Sequence, residues 1–377
     1  MLLSALLVLP FAGAAVLWSL PSPAMRAHAE LACAAAVLIL ALGLLVGPAE
    51  PMGVIVPDRL GITVTILAAL TTAMRAWAQR RRTGRSALAR AAGLIGLGGL
   101  VLSALSADGL LTWIGLLTVM AAALFPALPF GHDRVVLAGT GLGVAFFGII
   151  AHRTDTQVGA SCMLAGYAIL AALLPEPPLL ALLLVPRLLA VMPGSAAMSW
   201  LFDTMLLTLG LGTMLAAAAG ALVSHMPSGQ RDRLFVLGQT GAGVFAFGLG
   251  LPEGAFAGCV QLMLLTLAQA AAGLARDGGP QRPLAIAGLG GLPPFGVFAG
   301  LGLILVAMGG ESSWLLAMFL LGAAGIGWAA IAALSMPSRA RSRATVAWVP
   351  LCLAVILGMA MPQPVASWFQ AAVEIPR

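Results

Sequence analysis

Very few side chains inside the apolar segments of this chain could take part in chemistry. Arg187 and Asp203 are charged residues that fall within predicted membrane spans. Arginine keeps its proton under protein conditions, so Arg187 would be a poor proton relay. Three interpretations of Arg187 stay open: a structural pair with Asp203 or a backbone carbonyl, snorkelling to the membrane surface, or a charge in an ion path.

Cysteine and histidine are too scattered to indicate a metal site or a disulfide framework. The four cysteines lie far apart in apolar runs, without C-x-x-C spacing: Cys33, Cys162, Cys259 and Cys352. We predict them to be buried, apolar side chains. The four histidines fall in predicted loops or at span ends, with no second ligand at metal-binding spacing. The chain has no nucleotide-binding glycine motif in a suitable context and no nucleophile, acid and base cluster.

The elements that must position these residues are membrane helices. The chain is 61% hydrophobic and 8% charged, whereas a soluble domain has roughly 25% charged residues. Apolar runs of the length needed to cross about 30 Å of hydrocarbon recur from end to end. We predict an all-α, polytopic integral membrane protein with about 14 spans: 2–20, 30–47, 60–78, 91–107, 109–129, 135–151, 159–175, 178–192, 199–223, 234–251, 255–275, 284–307, 313–335 and 344–361.

Arginine is unevenly distributed between the predicted loops. All 19 basic residues are arginines, and the chain has no lysine. If the arginine-rich loop after the third span is cytoplasmic, the opposite side keeps only Arg59, Arg153 and Arg377. This positive-inside pattern explains the net charge of +6 without nucleic acid as a partner. We predict a multi-pass protein of the bacterial inner (cytoplasmic) membrane with both termini on the non-cytoplasmic side.

Polar residues without charge also occur on the predicted spans. They are Gln239, Gln261, Gln269, Thr112, Thr118, Thr204 and Thr266. We expect such residues to form hydrogen bonds between helices, with a short water chain as the alternative.

Three stretches carry patterns that occur together in one family of membrane proteins. Residues 287–298 read AGLGGLPPFGVF, close to a G-x-P-P-x-x-G-F element. Residues 232–241 read DRLFVLGQTG, close to D-x-K-R-L-x-A-Y-S-S-x-x-x-x-G, and residues 108–115 read DGLLTWIG, close to N-L-L-x-x-F-x-W-E-L. The chain thereby resembles the antiporter-like membrane subunits of respiratory complex I, the Mrp antiporters and the energy-converting membrane hydrogenases.

The resemblance implies a fold of two inverted five-helix repeats, each with one broken helix. The N-terminal helices 1–3 would occupy 1–90, and the first repeat, helices 4–8, would occupy 91–193. The second repeat, helices 9–13, would occupy 199–335, and the last helix lies within 344–377. Pro293 and Pro294 independently predict a break in the twelfth span, because proline lacks the N–H that a helix needs.

The resemblance also implies where protons would pass in active members of the family. Those members carry ionisable residues in five helices across the middle of the membrane, where buried charge is costly and is retained for transfer. Four matching positions here hold residues that cannot carry a proton: Ile114 in span 5, Leu170 in the first broken helix, Thr266 in span 11 and Leu301 in the second. Arg187 lies near the fifth position, and the lysine of D-x-K-R aligns with Asp232.

These observations predict a membrane-arm subunit of a redox-driven complex related to complex I or a membrane hydrogenase. The chain would be structural, without a proton relay or catalytic site of its own. Its partners would be other membrane subunits and lipids, and the Fe–S, flavin, nickel–iron or quinone groups would belong to those partners. The alternative is a stand-alone or two-component secondary transporter with a solute site at the broken twelfth helix.

Overall fold

The computed structural model describes residues 2–46, 51–80, 86–124, 196–223, 228–275, 281–310, 312–335 and 345–361, and four positions between 363 and 370. Over these residues the chain is helical, with two isolated backbone bridges and no β-strand. It divides into two compact units, Met1–Pro193 with Arg377, and Gly194–Pro376.

Five helices of the first unit are described. They are α1 (Leu2–Ser19), α2 (Pro23–Val46), α3 (Arg59–Gln79), α4 (Ala87–Leu105) and α5 (Gly109–Leu124). Helix α4 packs against each of the other four. Side-chain caps begin α3 and α4, since the Asp58 carboxylate accepts the Gly61 N–H at 2.9 Å and the Ser86 hydroxyl accepts the Ala89 N–H at 3.2 Å.

Seven helices of the second unit are described. They are α6 (Ala196–Ala221), α7 (Ser228–Phe247), α8 (Pro252–Leu274), α9 (Gln281–Leu289), α10 (Gly296–Ala307), α11 (Ser313–Leu334) and α12 (Trp348–Met359). Helix α8 is enclosed, because α7, α9, α10 and α12 all pack against it. Its side chains are buried on nearly every face, which fits its apolar composition on all sides.

Seven of these helices are long and apolar enough to cross a membrane, counting only the described part of the chain. The protein is therefore a multi-pass membrane protein. The predicted spans 6, 7 and 8 lie outside the described residues, so the count of 14 and the repeat arrangement stay predictions. Helix α2 begins at Pro23 instead of residue 30, and α7 at Ser228 instead of 234. Backbone hydrogen bonding extends these helices beyond the hydrocarbon, where polar side chains are tolerated.

The prediction of buried cysteines is only partly correct. Cys33 and Cys259 are buried, but Cys352 is exposed on α12. In a membrane protein an apolar side chain can face lipid as readily as the core, so the hydrophobicity of this run did not distinguish the two locations. Cys162 lies outside the described residues.

Close backbone contact joins α6 and α7 in the second unit. A Cβ atom on Gly241 of α7 would lie 2.6 Å from the carbonyl oxygen of Gly210 and 2.9 Å from the amide nitrogen of Met214, both on α6. These neighbours are backbone atoms, so they cannot rotate away. The small residue at position 241 therefore sets how closely the two helices approach.

Replacing Gly241 by alanine should lower the midpoint of thermal unfolding of the full chain in lipid nanodiscs. The added methyl group forces α6 away, and overpacking of this kind costs about 1–3 kcal/mol. The control is Gly212→Ala on α6, where an added Cβ would meet nothing within 4 Å. That variant should match or slightly exceed the wild-type stability, because alanine favours helix over glycine. Equal midpoints for the two variants would contradict the packing argument.

Candidate functional site

A buried ion pair links α2 and α4 in the first unit. Nη1 of Arg90 lies 2.6 Å from Oε2 of Glu30, and the side chains are 1% and 2% exposed. The two residues are 60 positions apart in sequence. Each lies near the start of its helix, so the pair joins two helix beginnings that we predict on the cytoplasmic side. Arg90 falls in the arginine-rich loop after the third predicted span, so its position in the sequence indicated a loop charge and not this contact.

A second ion pair links α7 and α9 in the other unit. The guanidinium of Arg282, at the start of α9, donates to the Asp232 carboxylate in the first turns of α7. Nη1 of Arg282 also lies 3.4 Å from the carbonyl oxygen of Ala272, in the last turn of α8. The negative end of the α8 dipole therefore faces the same cation. One arginine thus joins the ends of three helices.

The path from α9 to α10 is interrupted by a turn with a specific backbone cause. Gly291 has φ of +68°, which only glycine adopts readily. The Leu292 N–H donates to the carbonyl of Ala287 and the Gly291 N–H to that of Gly288, which is a Schellman motif closing α9. Glycine therefore ends α9 before Pro293 is reached.

The prolines predicted to mark the break lie after that turn. Pro293 and Pro294 occupy the connection between the two helices, and α10 begins at Gly296 with Phe295 as its N-cap. Proline cannot continue a helix, so the pair keeps the chain from resuming directly. The position of the break was predicted from the prolines, but the role of Gly291 was not.

Two buried glutamines lie beside this break. Nε2 of Gln261 on α8 donates to Oε1 of Gln239 on α7 at 2.8 Å, and both side chains are fully buried. Nε2 of Gln239 would lie 2.8 Å from a Cβ on Gly291, and Oε1 of Gln261 would overlap a Cβ on Gly300. Glycine on each side of the break therefore leaves room for the two amides. Their mutual bond is the interhelical contact expected for these residues.

The threonines behave differently from the expectation of bonds between helices. The hydroxyls of Thr112, Thr118 and Thr266 each donate to the carbonyl four residues earlier in their own helix. This internal bond satisfies the hydroxyl without a neighbouring helix, which is the usual alternative for threonine within a helix. These three hydroxyls do not provide the interhelical contacts that the sequence suggested.

The positions proposed as lost relay sites are placed as follows. Leu301 is 7% exposed and lies beside Gly291, since its Cδ1 would be 2.9 Å from a Cβ there. Thr266 is buried on α8, whereas Ile114 is 40% exposed on α5. Leu170 and Arg187 lie outside the described residues, and so does the predicted Arg187–Asp203 pair. The structure therefore brings Leu301 next to Gln239 across the break.

Charge is excluded from the middle of the described helices. Every charged side chain on α1 to α12 lies within the first or last eight residues of its helix. The polar side chains that lie against Gly291 and Gly300 are the amides of Gln239 and Gln261, which neither gain nor lose a proton near neutral pH. The arrangement can bind uncharged hydrogen-bonding groups, but these two side chains cannot relay protons by titration.

Comparisons with known proteins identify the fold but no sequence family. No protein-family profile and no curated protein sequence matches the chain. A chain from respiratory complex I of Thermus thermophilus with bound NADH is 18% identical, with a TM-score of 0.71, and the match covers 100% of this chain and 99% of that chain.

Two further solved structures have similar chains. One is from the Mrp complex of Dietzia sp. DQ12-45-1b, at 16% identity and a TM-score of 0.78, covering 99% of this chain but 52% of that chain. The other is from the membrane-bound sulfane sulfur reductase, an archaeal respiratory membrane complex, at 16% identity and a TM-score of 0.76, covering 98% and 77%. The chain therefore has the fold of antiporter-like membrane subunits.

Removing one member of the Glu30–Arg90 pair should destabilise the protein strongly. Glu30→Gln leaves the Arg90 charge buried without its carboxylate, which costs about 3–5 kcal/mol in comparable pairs. Thermal unfolding of the full chain in nanodiscs measures the loss. The control, Glu253→Gln, makes the same change at an exposed position in the first turn of α8 and should have a small effect.

The double variant Glu30→Leu, Arg90→Met removes both charges and should recover most of that stability, because apolar pairs of similar volume often replace buried ion pairs without loss. Wild-type stability in Glu30→Gln would show that the pair does not hold α2 against α4.

Proposed function

We propose that the chain is a structural membrane-arm subunit of a redox-driven, ion-translocating complex related to complex I or a membrane hydrogenase. Support for a membrane-arm position comes from its fold, which it shares with chains of three membrane complexes over 98% or more of its length. That likeness alone does not distinguish a pumping subunit from a structural one, so the distinction depends on the residues.

The structural role is carried by one observation: none of the described side chains that lie against Gly291 and Gly300 at the helix break is ionisable. Gln239, Gln261 and Leu301 line the break in the second unit. A proton relay needs side chains that both accept and release protons, and the cost of burying such groups is sustained only where they are used. The two glutamine amides and the leucine side chain fill the space at the break but cannot accept and release protons.

The two described ion pairs also fit a structural role. The buried Glu30 pairs with Arg90, and the half-buried Asp232 pairs with Arg282, so both carboxylates lie against an arginine. Arginine stays protonated in proteins, so it cannot accept a proton from the carboxylate with which it pairs. Neither pair therefore provides a step in a proton relay. Phe235 and Val236, both buried, lie between Asp232 and Gln239 on the same face of α7.

In this role, the redox groups reside in neighbouring subunits. The Fe–S, flavin, nickel–iron or quinone chemistry would be supplied there, and this chain would fill a lateral position in the membrane arm and seal it against ions. Its place would be the bacterial inner membrane, with both termini on the non-cytoplasmic side. Other membrane subunits and lipids would cover its apolar outer faces.

Purification of the tagged chain from its native membrane tests the assignment to a complex. We expect subunits that carry Fe–S, nickel–iron or quinone-binding sites to co-purify in fixed ratio, as identified by mass spectrometry after mild solubilisation. An unrelated tagged membrane protein from the same cells serves as the control. Isolation of the chain alone, together with solute uptake by liposomes containing only this chain, would instead support the secondary transporter.

Arg187→Ala separates the structural role from a pumping role. If Arg187 forms a structural contact within the membrane, its loss should lower the amount of assembled complex more than it lowers proton pumping per assembled complex. Quantitative immunoblotting of native gels and pumping by purified vesicles measure the two quantities. Arg59→Ala, at the exposed start of α3, is the matched control and should affect neither. Normal assembly with abolished pumping would overturn the structural proposal.

A further inference from the structure

The glutamine pair leaves two buried polar atoms unsatisfied. Among the described residues, none forms a hydrogen bond with Nε2 of Gln239 or Oε1 of Gln261. Exchanging nitrogen and oxygen in both amides reverses the atoms but still leaves one N–H group and one carbonyl group. An unpaired buried polar group costs about 1–3 kcal/mol, and native proteins rarely retain one without a partner.

Both atoms lie against the broken helix formed by α9 and α10. Nε2 of Gln239 approaches Gly291, where the chain leaves α9, and Oε1 of Gln261 approaches Gly300 in α10. Helix α10 begins with buried residues, and no side chain caps its first turn. Two N–H groups in this turn already have partners, since Phe295 donates to the Leu292 carbonyl and Phe298 to the Phe295 carbonyl. One amide N–H group and one amide carbonyl therefore lie unshared against the broken helix.

The chemistry of this region selects an uncharged occupant. Its described side chains include Gln239, Gln261, Leu301 and Phe295, none of which carries charge. Among these described side chains a charged ligand would find no counter-ion, and burying an unpaired charge is far more costly than burying a neutral group. The Gln239 amide needs a group that accepts a hydrogen bond, and the Gln261 carbonyl needs a group that donates one. Water has both capacities and is small.

We infer that the break binds ordered water, held by the outward-facing N–H of Gln239 and the unshared carbonyl of Gln261. On the α7 face, buried Phe235 and Val236 separate this water from the Asp232–Arg282 pair, roughly 10 Å away along α7. The water therefore provides hydrogen-bond partners for the two amides and does not connect to a titratable group along that face. The assignment goes beyond the proposed subunit role and stands whether or not the chain belongs to a redox complex.

A high-resolution cryo-EM map of the full wild-type chain in nanodiscs, with a rigid antibody fragment bound, tests the site directly. We expect compact spherical density at hydrogen-bonding distance, about 2.7–3.2 Å, from the unshared atoms of both glutamines. Absence of density in a map that shows ordered water elsewhere in the protein would overturn the assignment. Elongated density would also overturn it, because the occupant would then be a larger molecule.

Radiolytic labelling provides a second test that does not depend on map resolution. X-ray pulses generate hydroxyl radicals from bound water, which oxidise adjacent side chains. Leu301, 7% exposed and beside the site, should be labelled several-fold faster than Leu211 on α6, which is 8% exposed. In Gln239→Leu, Gln261→Leu, the Leu301 rate should fall to that of Leu211.

Equal rates for the two leucines in the wild-type protein would overturn the assignment. A faster Leu301 that is unchanged in a folded double variant would do so as well. If the double variant fails to fold, the wild-type rate ratio and the wild-type map still decide the question.

Discussion

The hydrocarbon interior offers no solvent to a charge, and the packing of this chain follows from that constraint. In the described part of the chain, buried Glu30 is matched by Arg90, and half-buried Asp232 by Arg282. Both pairs lie near helix ends and join helices that are distant in sequence. Loss of either partner of the Glu30–Arg90 pair would leave a fully buried ion uncompensated. The pairs therefore fix which helix beginnings meet, while small residues determine how closely the helices approach further in.

The broken helix shows the same constraint acting on the backbone. Interrupting a helix inside a membrane exposes N–H and carbonyl groups that must find other partners. Gly291 closes α9 with two backbone bonds, so that end is satisfied internally. Helix α10 has no side-chain cap, and the buried glutamines lie alongside. Polar but uncharged side chains thus occupy the part of the membrane core where the backbone itself is polar.

Sequence patterns predicted the helices better than the contacts between them. Long apolar runs report membrane burial directly, and the Pro293–Pro294 pair located the break because proline excludes a regular helix. Gly291 was not identified as the residue that ends α9, since several nearby glycines fit such a turn equally well by sequence. The Glu30–Arg90 pair could not be predicted, because its members are 60 residues apart and meet only through the packing of α2 on α4.

The candidate site was harder to predict because its atoms come from three separate segments. Gln239 and Gln261 were expected to bond between helices, yet nothing in their spacing indicated that each would keep one unshared atom. Their position beside Gly291 and Gly300 depends on how α7 and α8 pack around the break. The lost relay positions came from pattern matching to a family, so they depend on alignment. Ile114, for example, is exposed, and a match between sequence patterns does not predict the direction in which a side chain points.

Retention of this fold without a proton relay is physically reasonable, because the residues that pack the helices together differ from those that would transfer protons. Besides apolar packing, the described contacts between helices include ion pairs near helix starts, backbone approaches at glycines, and a glutamine bond. None of them needs a group that changes protonation. Leu301 fills its place beside the break with apolar volume, where an ionisable side chain would have to be desolvated. In the proposed role, a chain released from proton transfer would therefore gain stability from leucine here, and selection for assembly alone would preserve the remaining architecture.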